Sequence, residues 1–165
     1  MKQRSSSQRR ATAYHEAGHA IMCRHEGVRL NKITIVSDEN TVGSCGYEKI
    51  IRGKYPEAGD SDRMRLKMKM RAMIALAGPL AQQLYHPRSF RNYHASEDYK
   101  AAVEMALHVN GSAKQAEAWL NWLEVCTRET LQAQWSIVEG LAKELFKTST
   151  LNGEQVQRLV AELLG

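Results

Sequence analysis

Apolar residues recur every three to four positions over most of this chain, which is the spacing of helices that bury one face. Ser96 predicts the start of one helix, because its hydroxyl can accept a hydrogen bond from the backbone of the first turn. Gly78 and Pro79 interrupt another run and predict either a kink or a junction between two helices. The predicted helices span residues 9–26, 62–84, 97–109 and 112–148, followed by a short closing helix.

Two segments have the alternating pattern of β-strands instead. Residues 30–36 (LNKITIV) alternate apolar and polar side chains, and residues 41–51 form a second run after a polar turn. Gly43 and Gly46 in the second run favour either an edge that a peptide substrate can approach closely or a bulged hairpin arm. The pattern as a whole predicts a mainly α fold with a small β-hairpin or sheet.

The first predicted helix carries the strongest chemical signal, His15-Glu16-Ala17-Gly18-His19. Histidines at positions i and i+4 lie on one helix face, so both imidazoles can reach a single Zn²⁺ ion. Glu16 lies beside that face, where a carboxylate can act as the general base of a zinc hydrolase. Small and apolar neighbours suit a helix that is packed beneath a metal site: Ala13, Ala17, Ala20 and Ile21.

A catalytic zinc site needs a third protein ligand, and His25 has the spacing of the pattern HExxHxxGxxH. That pattern requires glycine where this chain has Met22, because the helix must end there and turn back. With methionine the helix continues, and His25 falls about 240° around the axis from His19. We interpret His25 as a solvent-facing histidine before the helix ends at Gly27.

Length and composition narrow the class of protein. The 165 residues suit one domain, with a flexible basic tail over residues 1–10 and the folded part over residues 11–165. No apolar run approaches the ~20 residues of a membrane span, and the first residues lack the hydrophobic stretch of a signal peptide. Three cysteines without a CxxC pair, Cys23, Cys45 and Cys126, suit reduced thiols. These features predict a cytoplasmic protein without a membrane span.

The net charge of +5 does not by itself indicate a nucleic-acid partner. Residues 1–10 contribute four of these charges, so the rest of the chain is close to neutral. A second basic cluster alternates with methionine and leucine over residues 63–71. We interpret this cluster as the solvated face of a helix, with a basic surface for acidic partners as the alternative.

Taken together, these residues resemble the peptidase domain of the FtsH family of zinc metalloproteases. The resemblance is spread from residue 12 to residue 160 and implies an FtsH-like zincin fold with a polypeptide as the substrate. Its motifs are residues 12–20 (TAYHEAGHA), 32–35 (KITI), 75–81 (ALAGPLA) and 151–156 (LNGEQV).

The resemblance also supplies a third zinc ligand. In this family an aspartate that begins a later helix completes the site, in a context similar to residues 95–102 (ASEDYKAA). The match assigns the role to Asp98, with Glu97 as the fallback, and the metal ligands are then His15, His19 and Asp98. Two histidines and one carboxylate leave a coordination position open for water.

The chain also departs from the family. It contains no G-x-x-x-x-G-K-[ST] loop, and Pro79 stands where many members have arginine. We therefore expect a stand-alone, ATP-independent zinc metalloendopeptidase that acts on unfolded or flexible polypeptides, with Glu16 as the general base. A separate ATPase or adaptor could deliver substrates, and the oligomeric state does not carry over. The alternative is a zinc-stabilised binding or regulatory module without significant peptidase activity.

Overall fold

Helices make up most of the chain, as predicted. The computed structural model describes residues 5–37, 42–50, 62–88 and 96–165. Among these residues, no helix is both long and apolar enough to span a membrane. The elements in chain order are α1 (Ser6–His25), β1 (Leu30–Thr34), β2 (Ser44–Tyr47), α2 (Asp62–Tyr85), α3 (Glu97–Val109), α4 (Ala113–Ala133), α5 (Trp135–Thr148), β3 (Thr150–Asn152) and α6 (Gly153–Leu164).

Helix α1 begins at Ser6, three residues before its predicted start. Ser5 and Gln8 form a capping box in which each side chain accepts from the backbone N–H of the other residue. Arg9 continues the helix and donates a hydrogen bond to Ser149 Oγ at 3.2 Å. Residues 6–10 are therefore helical, and the prediction of a flexible tail over residues 1–10 is wrong for them.

The sheet has three antiparallel strands in the order β2-β1-β3. The predicted hairpin corresponds to β1 and β2, although β2 covers only the centre of the predicted run 41–51, whose first and last residues lie outside the described residues. Strand β3 pairs Leu151 with Ile33 and is an addition that the pattern did not predict. Within the described ranges, β2 pairs with β1 alone and is therefore an edge strand.

The core forms around α1, which packs against α2, α5 and β1. Helices α1 and α2 approach each other closely at Gly18, where a Cβ atom would lie 2.5 Å from the Ala77 carbonyl oxygen and 2.5 Å from Ala81 Cβ. Only glycine lets the two backbones come this close. Helix α2 is thereby fixed directly beside the histidine-bearing turn of α1.

Two predicted helix boundaries differ from the structure. Helix α2 continues through Pro79, so the predicted junction between two helices is wrong; the proline is buried in the core instead. An interior proline costs about 3 kcal/mol in an isolated helix, a cost that tertiary packing can offset. The predicted helix over residues 112–148 is two helices, because the backbone leaves the helical region at Gln134 (φ −111°, ψ 21°).

Candidate metal centre

Three side chains from two helices converge on one point. His15 and His19 lie one turn apart on α1, with 3.1 Å between their Nε2 atoms. Asp98 lies in the first turn of α3, which begins where Ser96 Oγ accepts a hydrogen bond from the Tyr99 backbone N–H. Asp98 Oδ2 is 3.0 Å from His15 Nε2 and 3.7 Å from His19 Nε2. The structure thus brings the three predicted ligands together, and they form a group that could hold a metal ion.

Helix α2 orients both imidazoles through their other ring nitrogens. His19 Nδ1 lies 2.7 Å from the Ile74 carbonyl oxygen, which can only accept, so Nδ1 carries a proton and donates it. His15 Nδ1 lies 3.1 Å from Gln82 Oε1, where it donates in the same way. When both imidazoles are neutral, the Nε2 atom of each therefore carries a lone pair, and these two lone pairs point toward each other and toward Asp98. Such contacts normally fix the tautomer of metal-binding histidines.

The dimensions of this cluster fit a zinc ion. Zinc–nitrogen and zinc–oxygen bonds of about 2.0–2.1 Å in a tetrahedron separate neighbouring ligand atoms by about 3.3 Å. The three observed separations are 3.0, 3.1 and 3.7 Å. Two lone pairs and a carboxylate at these distances repel each other unless a cation or a proton lies between them. The donor set and its spacing are therefore those of a three-ligand metal site.

Electrostatics at the cluster favour a positive charge. Burial lowers the pKa of His19, but the hydrogen bond and negative charge of Asp98, together with Glu16, raise it to about 9. Burial raises the pKa of Asp98, but hydrogen bonds from His15 and His19 outweigh this effect and hold the pKa well below its usual range. Protons and a metal ion therefore compete for the same Nε2 atoms.

Glu16 lies beside the cluster and is buried, with 4% of its surface exposed. Burial raises its pKa, the two histidines lower it, and Asp98 adds to the rise. Gly43 packs against this carboxylate, since a Cβ atom there would lie 2.7 Å from Glu16 Oε1. A general base works best when its pKa lies near the working pH, so the raised pKa suits that role.

Two openings meet at Glu16 and the cluster. The inner cavity, of about 270 Å³, has an apolar wall that includes Ile74 and Met105, with Tyr47 and Arg71 among its other lining residues. The outer groove, of about 780 Å³, runs along α1 past Thr12 and Gln82 to Tyr85 and His86. A substrate that passes from one opening to the other would cross the three clustered side chains.

The other histidine and acidic candidates lie elsewhere. His25 is exposed at the end of α1 and is not part of the cluster. Glu97 is also exposed, and its Oε1 atom forms an ion pair with Lys100 Nζ at 2.6 Å. Neither side chain is placed to serve as the third ligand in this structure.

The three helices around the cluster lie in a region that matches a known protein family. A model of Peptidase family M41 matches residues 2–110, the region that contains α1, α2 and α3. The chain belongs to peptidase family M41. It is 29% identical over 104 residues to the ATP-dependent zinc metalloprotease FtsH of Rickettsia felis and 28% identical to that of Rickettsia conorii. Each match covers 62% of this chain and 15% of the relative, so the chain spans a small part of the length of these proteins.

The M41 match confirms the resemblance inferred from the motifs around the two histidines. It ends at residue 110, however, so the predicted similarity of residues 151–156 to a family turn stays a prediction.

The residues that position the candidate metal centre have no clear signal in the sequence. Gln82 had no distinguishing signal, and Ile74 acts through its carbonyl oxygen, which any residue would provide. The sequence predicts a close approach at Gly43 without identifying the neighbour, which is the carboxylate of Glu16. Gly78 was noted for a kink, whereas a Cβ atom there would lie 2.2 Å from His19 Nε2 and 2.7 Å from His15 Nε2.

The last observation predicts the effect of Gly78→Ala. Both imidazoles would have to move away from the added methyl group, and we expect zinc affinity to fall about 100-fold, as when other groups that position ligands are lost. Alanine forms helices better than glycine by about 1 kcal/mol, so a weaker α2 would not explain the loss. Zinc titration against a competing chelator measures the affinity.

Gly46→Ala is the matched control, because its Cβ atom would lie 3.6 Å from the Lys32 carbonyl oxygen, an ordinary contact. Equal zinc affinities in the two variants would contradict the role assigned to Gly78.

Proposed function

We propose that this chain is a zinc-dependent metalloendopeptidase that cleaves flexible or unfolded polypeptides without ATP. The observation that carries the proposal is the buried carboxylate of Glu16 beside a three-donor cluster that opens to two cavities. A purely structural zinc site needs four protein ligands and no base, whereas a catalytic site leaves one position open. Membership of peptidase family M41 supports the same reaction class.

In this mechanism His15, His19 and Asp98 would hold a zinc ion, and the contacts of the two histidines with α2 keep the imidazoles in one orientation. Zinc in such a site supplies Lewis acidity toward a carbonyl oxygen and toward water. Glu16 accepts a proton from the attacking water at its carboxylate and then delivers it to the leaving amine. Gly43 leaves space for this carboxylate, because a side chain at position 43 would collide with Glu16 Oε1.

The polypeptide would bind in an extended form. Strand β2 pairs only with β1 among the described residues, so it is an edge strand there, and Ser44, Cys45 and Tyr47 of this strand line the inner cavity. An exposed edge can pair with an extended peptide through backbone hydrogen bonds. Stably folded domains already use these backbone groups internally, which restricts the substrates to flexible or unfolded segments.

The proposed independence from ATP rests on the sequence, since these 165 residues contain no phosphate-binding loop of the G-x-x-x-x-G-K-[ST] type. The relatives named ATP-dependent match this chain over only 15% of their length. A separate ATPase or adaptor could still deliver substrates to it.

The test uses one disulfide-stabilised reporter protein in its native form and after reduction and alkylation, with zinc and with or without ATP. We expect the alkylated form to be cleaved at the same rate with and without ATP, and the native form to resist cleavage. Gel electrophoresis and mass spectrometry of the products measure both rates. Degradation of the native form that depends on ATP, with no other protein present, would contradict the proposal.

The alternative is a binding module in which zinc is structural. It would be favoured if the zinc-loaded chain cleaved neither form of the reporter but still bound the alkylated one. The buried Glu16 and the two openings at the cluster argue against it, because structural zinc sites are closed.

A further inference from the structure

A third cavity lies beside the outer groove and has a stacked tyrosine pair in its lining. We call it the aromatic pocket; its volume is about 260 Å³. The rings of Tyr14 and Tyr85 stack with 3.9 Å between their centroids and 11° between their planes. Tyr85 lines both the outer groove and the aromatic pocket, so the two openings are neighbours along the path that leads to the metal centre.

The aromatic pocket combines apolar walls with cations. Phe146 forms part of the wall, and the Arg10 guanidinium lies 5.0 Å from the centre of its ring. This cation–π contact holds the guanidinium in place before any ligand arrives. Lys143 and Lys147 line the same pocket, and both are exposed.

The charge around the aromatic pocket is positive overall. Lys147 forms an ion pair with Glu144 at 3.3 Å, whereas neither Arg10 nor Lys143 has a carboxylate at ion-pairing distance in the described part of the chain. Glu139 is the other nearby acid, and together with burial it raises the pKa of Tyr14. The three cations that line the pocket outnumber these two acids by one, and an aromatic wall with a net positive charge is complementary to an acidic, apolar ligand.

The size of the pocket favours a single side chain as its occupant. Sites for drug-sized ligands and cofactors have volumes of about 300–1,000 Å³. The aromatic pocket, at about 260 Å³, lies below this range and fits one large side chain.

We propose that the aromatic pocket is a substrate subsite. It binds an aromatic or large apolar side chain flanked by acidic residues, in the same polypeptide whose scissile bond lies at the metal centre. The proposal rests on the proposed peptidase function. The proposed substrates are flexible segments that carry such a side chain, flanked by acidic residues, at a distance from the cleaved bond. We call this side chain the anchor.

The geometry of α1 indicates how far away the anchor lies. A helix rises about 1.5 Å per residue, so Arg10 is about 7–8 Å from His15 along the axis. An extended peptide covers about 3.3 Å per residue. The anchor side chain therefore lies at least about three residues from the scissile bond.

The test compares peptides that share one cleavable sequence and differ in a three-residue cassette. The cassettes are Asp-Trp-Glu, Asn-Trp-Gln, Asp-Ala-Glu and Asn-Ala-Gln, placed three to six residues to either side of the cleaved bond. We expect kcat/KM for Asp-Trp-Glu to exceed that for Asn-Ala-Gln about tenfold at the best position, with intermediate values for the others. The acid-dependent part of this preference should shrink at high salt.

Binding is measured separately, by fluorescence anisotropy of labelled peptides on the Glu16→Gln variant. Lys143→Glu should reduce the ratio between the Asp-Trp-Glu and Asn-Ala-Gln peptides to about threefold or less, in both cleavage and binding. Lys114→Glu makes the same charge change at an exposed position of α4 that does not line the pocket, and it should leave the ratio unchanged. Arg10→Gln is a second variant, and thermal unfolding shows whether each variant is folded.

The outcomes separate the two proposals. Equal binding of all four peptides, or a preference that survives both Lys143→Glu and Arg10→Gln, would overturn the subsite. Displacement of the Asp-Trp-Glu peptide by micromolar adenosine monophosphate would also overturn it, in favour of a small-molecule site. The expected binding preference without cleavage of any peptide would support the pocket and contradict the peptidase function.

Discussion

Replacing Asp98 with alanine should lower the zinc affinity of this chain by about 1,000-fold or more and abolish zinc-dependent cleavage. Asp98 supplies one of the three donors that the described residues bring together, and its carboxylate lies 3.0 Å from His15 Nε2 and 3.7 Å from His19 Nε2. Changes to groups that merely orient ligands already cost about 10- to 100-fold, so the loss of a ligand itself should cost more. Zinc titration against a competing chelator gives the affinity, and metal analysis gives the stoichiometry.

His25→Ala is the matched control for this experiment. His25 lies on the same helix as the two clustered histidines, but it is exposed and outside the cluster. The variant should bind zinc as the parent chain does. Zinc bound to His25 and remote from Asp98 in an anomalous-scattering map would contradict the assigned ligand set.

The hydrophobic pattern of the sequence predicts the long helices that bury one face. Helices α1, α2 and α3 lie close to their predicted positions, and a mainly α fold with a small sheet is confirmed. The errors concern local backbone features. Strand β3 has only three residues, too few to show an alternating pattern, and it exists because Leu151 pairs with Ile33.

The two histidines and Glu16 could be predicted from spacing alone, because residues on one helical turn need no knowledge of the tertiary structure. Asp98 is 83 residues from its neighbour His15, and only the resemblance to a known family pointed to it. The structure brings it to the histidines by packing α3 against α2.

The groups that orient the imidazoles could not be predicted from the sequence. Gln82 is 67 residues from His15, and the Ile74 carbonyl belongs to a residue 55 positions from His19. Both contacts exist because Gly18 lets α1 approach the backbone of α2. A glycine in a helix predicts close packing but does not identify the neighbour, so the orientation of the site becomes visible only in three dimensions.

Glu16→Gln should leave the fold and zinc binding intact and lower the rate of cleavage of an unfolded reporter by about 100-fold or more. The amide has almost the same shape as the carboxylate, but it cannot accept a proton from water, and a positioned general base contributes about 10²- to 10⁴-fold to the rate. Burial raises the pKa of Glu16, which suits a carboxylate that accepts a proton during the reaction. Initial rates at full zinc occupancy measure the effect.

Glu97→Gln is the matched control. Glu97 lies on α3 next to Asp98, but its side chain is exposed and forms an ion pair with Lys100. This substitution should change the rate little. If Glu16→Gln and Glu97→Gln cleaved the reporter as fast as the parent chain, with zinc fully bound in all three, Glu16 would not be the base. If all three were equally inactive, the chain would instead be a binding module. If only Glu16→Gln lowers the cleavage rate, the reaction requires proton transfer at the buried Glu16 carboxylate. A structural zinc site would not use such a transfer.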